Sequence, residues 1–171
     1  MAENDQIQNN QEQAVETPDG VQLNIQTIYA KDISFETPNS PQIFLEEYKP
    51  DININLGNNA KDLENDAFEV DLQVTVTSKV GEKTAYIAEV KYGGVFTVKG
   101  LDEATRNRVL RTFCPEQLFP YVREAVSETI ARGGFPRFVL QPINFNALYE
   151  QAMQQAQQQQ AQAGQPAEGQ A

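Results

Sequence analysis

The sequence predicts an α+β domain, in which a four-stranded antiparallel sheet comes first and the helices that follow pack on it. Up to residue 98, apolar and polar residues alternate with a period of two, which is typical of strands. The links between the alternating segments are short and carry no helical pattern, which favours antiparallel pairing. After residue 100 the apolar residues recur at helical spacing instead.

Four segments have the strand pattern: 23–35, 52–56, 68–76 and 86–92. A tight turn is predicted over 80–83, between the third and fourth strands. Gly57 is predicted to end the second strand, and the pair Gly93 and Gly94 to end the fourth before a further apolar stretch at 95–98.

Three helices are predicted after the strands. Residues 101–113 have loose helical spacing, and a second helix is expected from Pro115, with Pro120 marking either a kink or its true start. Two glycines at 133–134 are predicted to stop it. An extended, proline-bounded link then leads to Asn144, which is predicted to cap a last helix with one apolar stripe.

The folded domain is predicted to span 21–153. Residues 1–20 are polar and acidic, and with so few apolar side chains they cannot offset the entropy of ordering, so we expect a mobile tail. Residues 154–171 are rich in Gln and Ala and end in glycine and proline, which predicts a flexible C-terminal tail.

Composition excludes many functions. The net charge is −11, which argues against nucleic acid and anionic membranes as partners. The chain has no histidine and one cysteine, Cys114, which is expected to be a small buried apolar group rather than a nucleophile. Histidine-based catalysis and a Cys/His zinc site are therefore excluded, and we expect no enzymatic activity, no cofactor and no bound metal.

The remaining acidic pairs, such as Glu46 with Glu47, lie in polar segments and are interpreted as solvated loop charge. No stretch approaches the roughly 18 apolar residues of a membrane span, so membrane insertion is not expected. The first ten residues lack the pattern of a secretory signal, which together with the lone thiol predicts a cytoplasmic protein.

One sheet with a few helices covers only one sheet face, so a second copy is expected to bury more apolar surface. The predicted oligomer interface is the apolar face of the fourth strand: Tyr86, Ala88, Val90 and Tyr92. On its other face Ile87 lies beside Glu89, which is either a small docking site or chance. Asp32 and Glu36 add acid beside the first strand, where ordinary surface charge is the alternative.

Aromatic residues near chain reversals are candidates to line an apolar groove: Tyr48, Phe68, Phe135 and Phe138. Ordinary core packing explains each of them equally well, and explains Phe68 better because it lies within a strand.

Six co-linear runs resemble one known family. They are 25–41 (IQTIYAKDISFETPNSP), 74–77 (VTVT), 89–96 (EVKYGGVF), 114–121 (CP and LFPY), 132–136 (RGGFP) and 142–149 (PINFNALY). The runs resemble SecB, the bacterial protein-export chaperone, over about residues 23–151.

The resemblance implies a homotetramer, a dimer of dimers, that acts without ATP. Such a holdase binds unfolded precursor proteins in the cytoplasm and delivers them to the SecA motor ATPase. It also implies that the zinc-bearing tail of SecA docks on a sheet surface that corresponds here to Asp32, Glu36, Ile87 and Glu89, with the zinc belonging to that partner. Ile87 stands where the family commonly has Leu, and Tyr86 and Ala88 replace Phe and Cys.

Two alternatives stay open. A SecB-like chaperone dedicated to one client, such as an antitoxin, would have the same fold and differ in what it binds. A generic acidic adaptor or a cryptic enzyme is the more distant alternative.

Overall fold

The strands of the computed structural model form one antiparallel sheet. The model describes residues 15–16 and 20–163, with side chains described over 20–159. The strands are β1 (Val15–Glu16), β2 (Gln22–Glu36), β3 (Asp51–Glu64), β4 (Ala67–Val80) and β5 (Lys83–Lys99), in the spatial order β1-β2-β5-β4-β3. The four long strands confirm the predicted four-stranded antiparallel sheet, and the two-residue β1 adds to its edge.

The strand order places β2 beside β5 rather than beside β3, the next strand in the chain. The segment after β2 therefore passes from one edge of the sheet to the other, and it contains a short 3₁₀ helix, Gln42–Leu45. The predicted turn at 80–83 is confirmed, with Gly81 at φ 57°, a conformation that glycine adopts without strain.

Gly93 and Gly94 do not end a strand, and the prediction that they do is wrong. They lie in the middle of β5, paired with Tyr29 and Ile28 on one side and with β4 on the other. A side chain at Gly93 would meet the Tyr29 ring, and one at Gly94 would meet Phe96 and Leu118. Glycine is needed there for close approach inside a continuous strand. Gly57 likewise lies within β3, which continues to Glu64.

The helices are α1 (Glu103–Arg111), α2 (Phe113–Arg132) and α3 (Phe145–Ala163). Asp102 caps α1 by accepting a hydrogen bond from the Thr105 backbone N–H at 3.0 Å. The predicted cap of α3 is confirmed, since Asn144 Oδ1 accepts from the Ala147 N–H at 3.0 Å. Pro120 lies inside α2 on its exposed side and does not end the helix, whereas Gly133 follows its last residue, as predicted.

The structure extends secondary structure beyond both ends of the predicted folded domain, 21–153. The Val15–Glu16 strand lies in the predicted N-terminal tail and pairs with Leu23 and Gln22. Helix α3 continues past Met153 to Ala163, into the predicted C-terminal tail. The rest of both predicted tails, 1–14, 17–19 and 164–171, lies outside the described residues.

The core lies between the sheet and α2. The inward-facing residues of β4 alternate along the strand and are completely buried: Val70, Leu72, Val74 and Val76. Helix α2 packs over β5, β4 and β2 and supplies Leu118, Val122, Val126 and Ile130 to the same core. We call this side of the sheet the inner face, and the opposite side the outer face.

The predicted oligomer interface lies inside this core. Tyr86, Ala88 and Val90 have no exposed surface, because other parts of the same chain pack on this face: α2 packs on β5, and the Phe35 and Phe135 rings contact that of Tyr86. Tyr92 is partly buried with its ring 6.0 Å from that of Tyr121. A second copy cannot reach the three buried residues while the chain is folded. The period of two identified the apolar face correctly, but it carries no information about which element covers that face.

Candidate functional site

The outer face brings the four predicted partner-binding residues together. Strands β2 and β5 are neighbours, and Glu36 lies directly opposite Ile87, while Ser34 lies opposite Glu89 and Asp32 opposite Lys91. Directly opposite residues of an antiparallel pair share a face, with Cβ atoms about 4.5–5.5 Å apart. We call Asp32, Glu36, Ile87 and Glu89 the acidic patch.

The carboxylates of the acidic patch have no counter-ion in the described part of the chain. Asp32 and Glu36 are exposed, and Ile87 and Glu89 are half-buried. Glu89 Oε2 accepts a hydrogen bond from Thr75 Oγ1 at 3.1 Å, and no salt bridge of the described residues includes any of the three acids. Three unpaired carboxylates around one apolar side chain suit a partner with both basic and apolar groups.

A β-bulge at Lys31 sets the direction of this end of β2. The register shifts by one residue between Ala30, which pairs with Tyr92, and Asp32, which pairs with Lys91. The extra residue places Lys31 on the same outer face as Asp32. Since the bulge comes before Asp32, it leaves the alternation from Asp32 to Glu36 intact.

An ion-pair network borders the acidic patch on the outer face, formed by Tyr29, Lys31, Glu69, Asp71 and Lys91. Lys31 Nζ lies 2.6 Å from Glu69 Oε1 and 3.3 Å from Asp71 Oδ2, and Lys91 Nζ lies 3.9 Å from Asp71 Oδ1. The Tyr29 hydroxyl also donates a hydrogen bond to the Glu69 carboxylate. The hydrogen bond from Lys31 lowers the pKa of Glu69, and the bond to Glu69 raises the pKa of both Tyr29 and Lys31.

A cluster of aromatic rings lies at the opposite side of the sheet, where α2 ends. The Phe135 ring is 5.9 Å from that of Tyr48, 5.0 Å from that of Phe44 and 4.8 Å from that of Tyr86. We call Phe35, Phe44, Tyr48, Tyr86 and Phe135 the aromatic cluster. Phe44 is 48% exposed and the adjacent Leu45 is 88% exposed, so the 3₁₀ helix presents apolar surface beside the cluster.

The structure brings together two of the four predicted groove residues. Tyr48 and Phe135 meet in the aromatic cluster, and Phe138 is a partly buried residue packed against the core. Phe68 lies elsewhere: it is 6% exposed, and the Arg106 guanidinium lies 5.6 Å from its ring centroid. Its surroundings are those of a core residue, in agreement with the alternative reading of Phe68.

Sequence reasoning missed a second apolar surface, a groove of about 300 Å³ where α3 meets β3 and α1. Its lining includes Leu56, Arg111, Phe145, Leu148 and Tyr149. Leu148 is 41% exposed, because α3 packs only lightly on the rest of the chain. The stripe on α3 was visible in the sequence, whereas its incomplete coverage depends on the distant elements around it.

Neither a membrane-crossing helix nor a metal site is found in the described parts of the chain. None of the helices over 20–163 combines the length and apolar character needed to cross a bilayer. Among those residues, no three Cys, Asp or Glu side chains are grouped so that they could hold a metal ion.

Comparison with known proteins identifies the family. The family model described as preprotein translocase subunit SecB matches residues 15–156, which covers the whole sheet, α1, α2 and the first part of α3. This chain belongs to the SecB family. Membership places it among the protein-export chaperones, a class of binding proteins.

Relatives from several bacteria carry the name protein-export protein SecB. The one from Alkalilimnicola ehrlichii is 53% identical over 135 residues, which is 79% of this chain and 72% of the relative. The one from Alcanivorax borkumensis is 53% identical over 143 residues, 82% of this chain and 91% of the relative. The one from Marinobacter nauticus is 43% identical over 161 residues, 94% of each chain.

A solved structure shares the fold. It is a SecB-like chaperone of Mycobacterium tuberculosis in complex with a ChAD peptide from the HigA1 antitoxin, and it aligns with a TM-score of 0.58 at 16% identity. The alignment covers 71% of this chain and 90% of the other. At this identity the similarity shows the SecB-type arrangement of sheet and helices and no more.

Proposed function

We propose that this protein is an ATP-independent holdase of the bacterial cytoplasm that keeps unfolded precursor proteins competent for export and delivers them to SecA. The observation that carries the proposal is the separation of two surfaces. Exposed apolar side chains lie beside the aromatic cluster and along α3, while three carboxylates that form no ion pair with any described residue lie on the outer face. A chaperone that holds one protein while it docks on another needs two surfaces of this kind.

The client surface is the apolar one. Phe44 and Leu45 project beside the rings of Tyr48 and Phe135, and Leu148 and Met153 are exposed along α3. Contiguous exposed apolar groups mark interaction sites, and such surfaces accept many sequences when they require no exact pocket. An extended client that contacts several weak sites at once gains avidity from the number of sites.

The acidic patch is the docking site for SecA. The family resemblance gives SecA a basic, zinc-bearing tail, and the patch offers three carboxylates without counter-ions around the apolar Ile87. Each exposed ion pair contributes about 0–1 kcal/mol, so docking depends on several pairs together with the contact at Ile87. Binding should weaken as salt rises, since exposed pairs are screened.

Assembly into a dimer of dimers uses the free edge of β2 in this proposal. Within the described residues, β1 pairs only with Gln22 and Leu23, which leaves the edge of β2 open over most of its 15 residues. An open edge offers unpaired N–H and C=O groups to another strand. Ile25 and Ile33 lie on the inner face at this edge and are 37% and 47% exposed, so a second copy would also cover apolar surface.

Two measurements test the proposal. The purified chain at micromolar concentration should prevent an unfolded precursor from aggregating without nucleotide. Titration with full-length SecA in low salt should show binding that Glu89→Lys strongly weakens. Asp62→Lys reverses an exposed acid on β3 instead and should bind SecA like the unaltered protein, and both variants should hold clients normally.

Equal SecA affinity for Glu89→Lys and the unaltered chain would remove the acidic patch from the mechanism. Aggregation of the precursor at the same rate with and without the chain would refute holdase activity. A chain that protects one bound protein from its host, such as an antitoxin, and no general precursor would support the dedicated-chaperone alternative. The 43–53% identity to proteins named for export favours the general function.

A further inference from the structure

Lys91 lies where it would be expected to neutralise the acidic patch. It is directly opposite Asp32 in the β2–β5 pairing, on the same outer face. Lysine and aspartate at such a cross-strand position are close enough to form an ion pair. Lys31 is the chain neighbour of Asp32 and shares its face because of the bulge.

Neither lysine pairs with Asp32 within the described residues. Lys91 Nζ lies 3.9 Å from Asp71 Oδ1, whereas Lys31 Nζ lies 2.6 Å from Glu69 Oε1 and 3.3 Å from Asp71 Oδ2, so that Glu69 also holds Lys31. Asp71 faces both lysines from β4, the strand on the far side of β5 from Asp32. Asp71 therefore draws Lys91 towards β4, away from the acidic patch, and Glu69 and Asp71 together hold Lys31 on that side.

The burial of Asp71 makes this arrangement stable. Asp71 is 7% exposed, the lowest exposure of any Asp, Glu, Lys or Arg in the described chain, and a buried carboxylate without counter-ions is costly. Asp32 is exposed, and water can solvate its carboxylate when no cation is near. The free energy is therefore lower when the cation pairs with the buried carboxylate of Asp71 and water solvates the exposed carboxylate of Asp32.

We infer that Asp71 is a specificity-determining residue: it holds Lys91 away from Asp32 and so keeps the acidic patch open to a cationic partner. Asp71 itself does not touch that partner. The inference rests on the proposed function for the identity of the partner, whereas the exchange of ion pairs is a property of this chain alone.

The first test is a binding cycle with full-length SecA in low salt, using the unaltered chain, Asp71→Asn, Lys91→Gln and the double variant. Asp71→Asn should weaken binding about two- to fivefold, the range of exposed ion pairs, because the freed Lys91 neutralises Asp32. The double variant should recover most of the loss. Asp62→Asn, a matched charge change on β3, should bind like the unaltered chain.

A loss in Asp71→Asn that persists unchanged in the double variant would overturn the inference, since it would show a general effect of charge or folding. Unaltered binding in Asp71→Asn would overturn it too. Thermal unfolding of all five proteins is the accompanying measurement, and Asp71→Asn should remain fully folded at the temperature of the titration.

The second test needs no partner. A crystal structure of Asp71→Asn should show Lys91 Nζ within about 4 Å of the Asp32 carboxylate. Lys91 still turned away from Asp32 would overturn the inference. If SecA binds the unaltered chain and Glu89→Lys equally, the proposed docking site is wrong, and the crystal structure still decides whether Asp71 holds Lys91 away from Asp32.

Discussion

The two faces of the sheet are formed by the same strands but differ in burial and in polarity. On β4 the inner-face residues Val70 and Val74 have no exposed surface. The outer-face residues Gln73 and Thr75, which flank Val74, are polar and half-buried. Helix α2 covers the inner face, whereas no element of the described chain covers the outer one. The inner face stabilises the fold, and the outer face is free to bind.

A single strand contributes both to the core and to the binding surface. Along β5, Ala88 and Val90 belong to the core, while Ile87 and Glu89 between them belong to the acidic patch. Because successive side chains point to opposite faces, function can change on one face without repacking the other. Substitutions on the two faces should therefore have different consequences, and the following predictions measure that difference.

The largest expected effect is that of a charge placed on the inner face. Ala88→Asp buries an unpaired carboxylate and should lower the free energy of unfolding by about 3–5 kcal/mol. Thr77→Asp, on the outer face of β4, should cost about 1 kcal/mol or less, the range of strand preferences. Urea denaturation of both variants measures this, and equal losses would show that the outer face is also part of a packed core.

A thiol buried in the core should react far more slowly than a thiol placed on the outer face of the sheet. Burial raises the pKa of the Cys114 thiol to about 12, so it is almost entirely protonated at pH 8. Cys114 should react with a maleimide about a thousandfold more slowly than the thiol introduced by Ser34→Cys, because its exposure requires unfolding. Mass spectrometry of timed samples gives both rates, and comparable rates would contradict the burial of Cys114.

A methyl group added where atoms are already in close contact should lower the stability more than a methyl group added in open space. A methyl group at Gly133 would overlap the Phe35 ring of the aromatic cluster, while a methyl group at Gly57 has no atom within 4 Å. Gly133→Ala should lower stability by about 1–3 kcal/mol. Gly57→Ala should leave it unchanged or raise it by up to about 1 kcal/mol. Thermal unfolding of the pair checks this, and a neutral Gly133→Ala would show that the cluster adapts easily.

The smallest effect is the pH dependence of the outer-face network. The hydrogen bond from Lys31 lowers the folded-state pKa of Glu69, so its contribution is present above the unfolded pKa near 4.5 and is lost as pH falls through the folded value. Glu69→Gln should lower stability by less than about 1 kcal/mol at pH 7, with no difference in strong acid. Denaturation across pH tests this, and a difference that grows in acid would reverse the assigned sign.

Sequence reasoning recovered the local features of the site. Glu89 and Ile87 share a face because strand side chains repeat every two residues, and the same argument places Asp32 with Glu36. It did not pair the two strands, since β2 and β5 are separated by two other strands in the chain. That pairing came from the family resemblance, and the structure confirms it.

The sequence by itself determined which segments are strands and helices and how helix α3 is capped. These are properties of neighbouring residues. Only the tertiary structure decided that Phe35 and Phe135 pack on Tyr86, that Gly93 lies within a strand, and that Lys91 pairs with Asp71 instead of Asp32. Each of these depends on residues far apart in the chain, whose distances are set by packing and strand order and not by any local period.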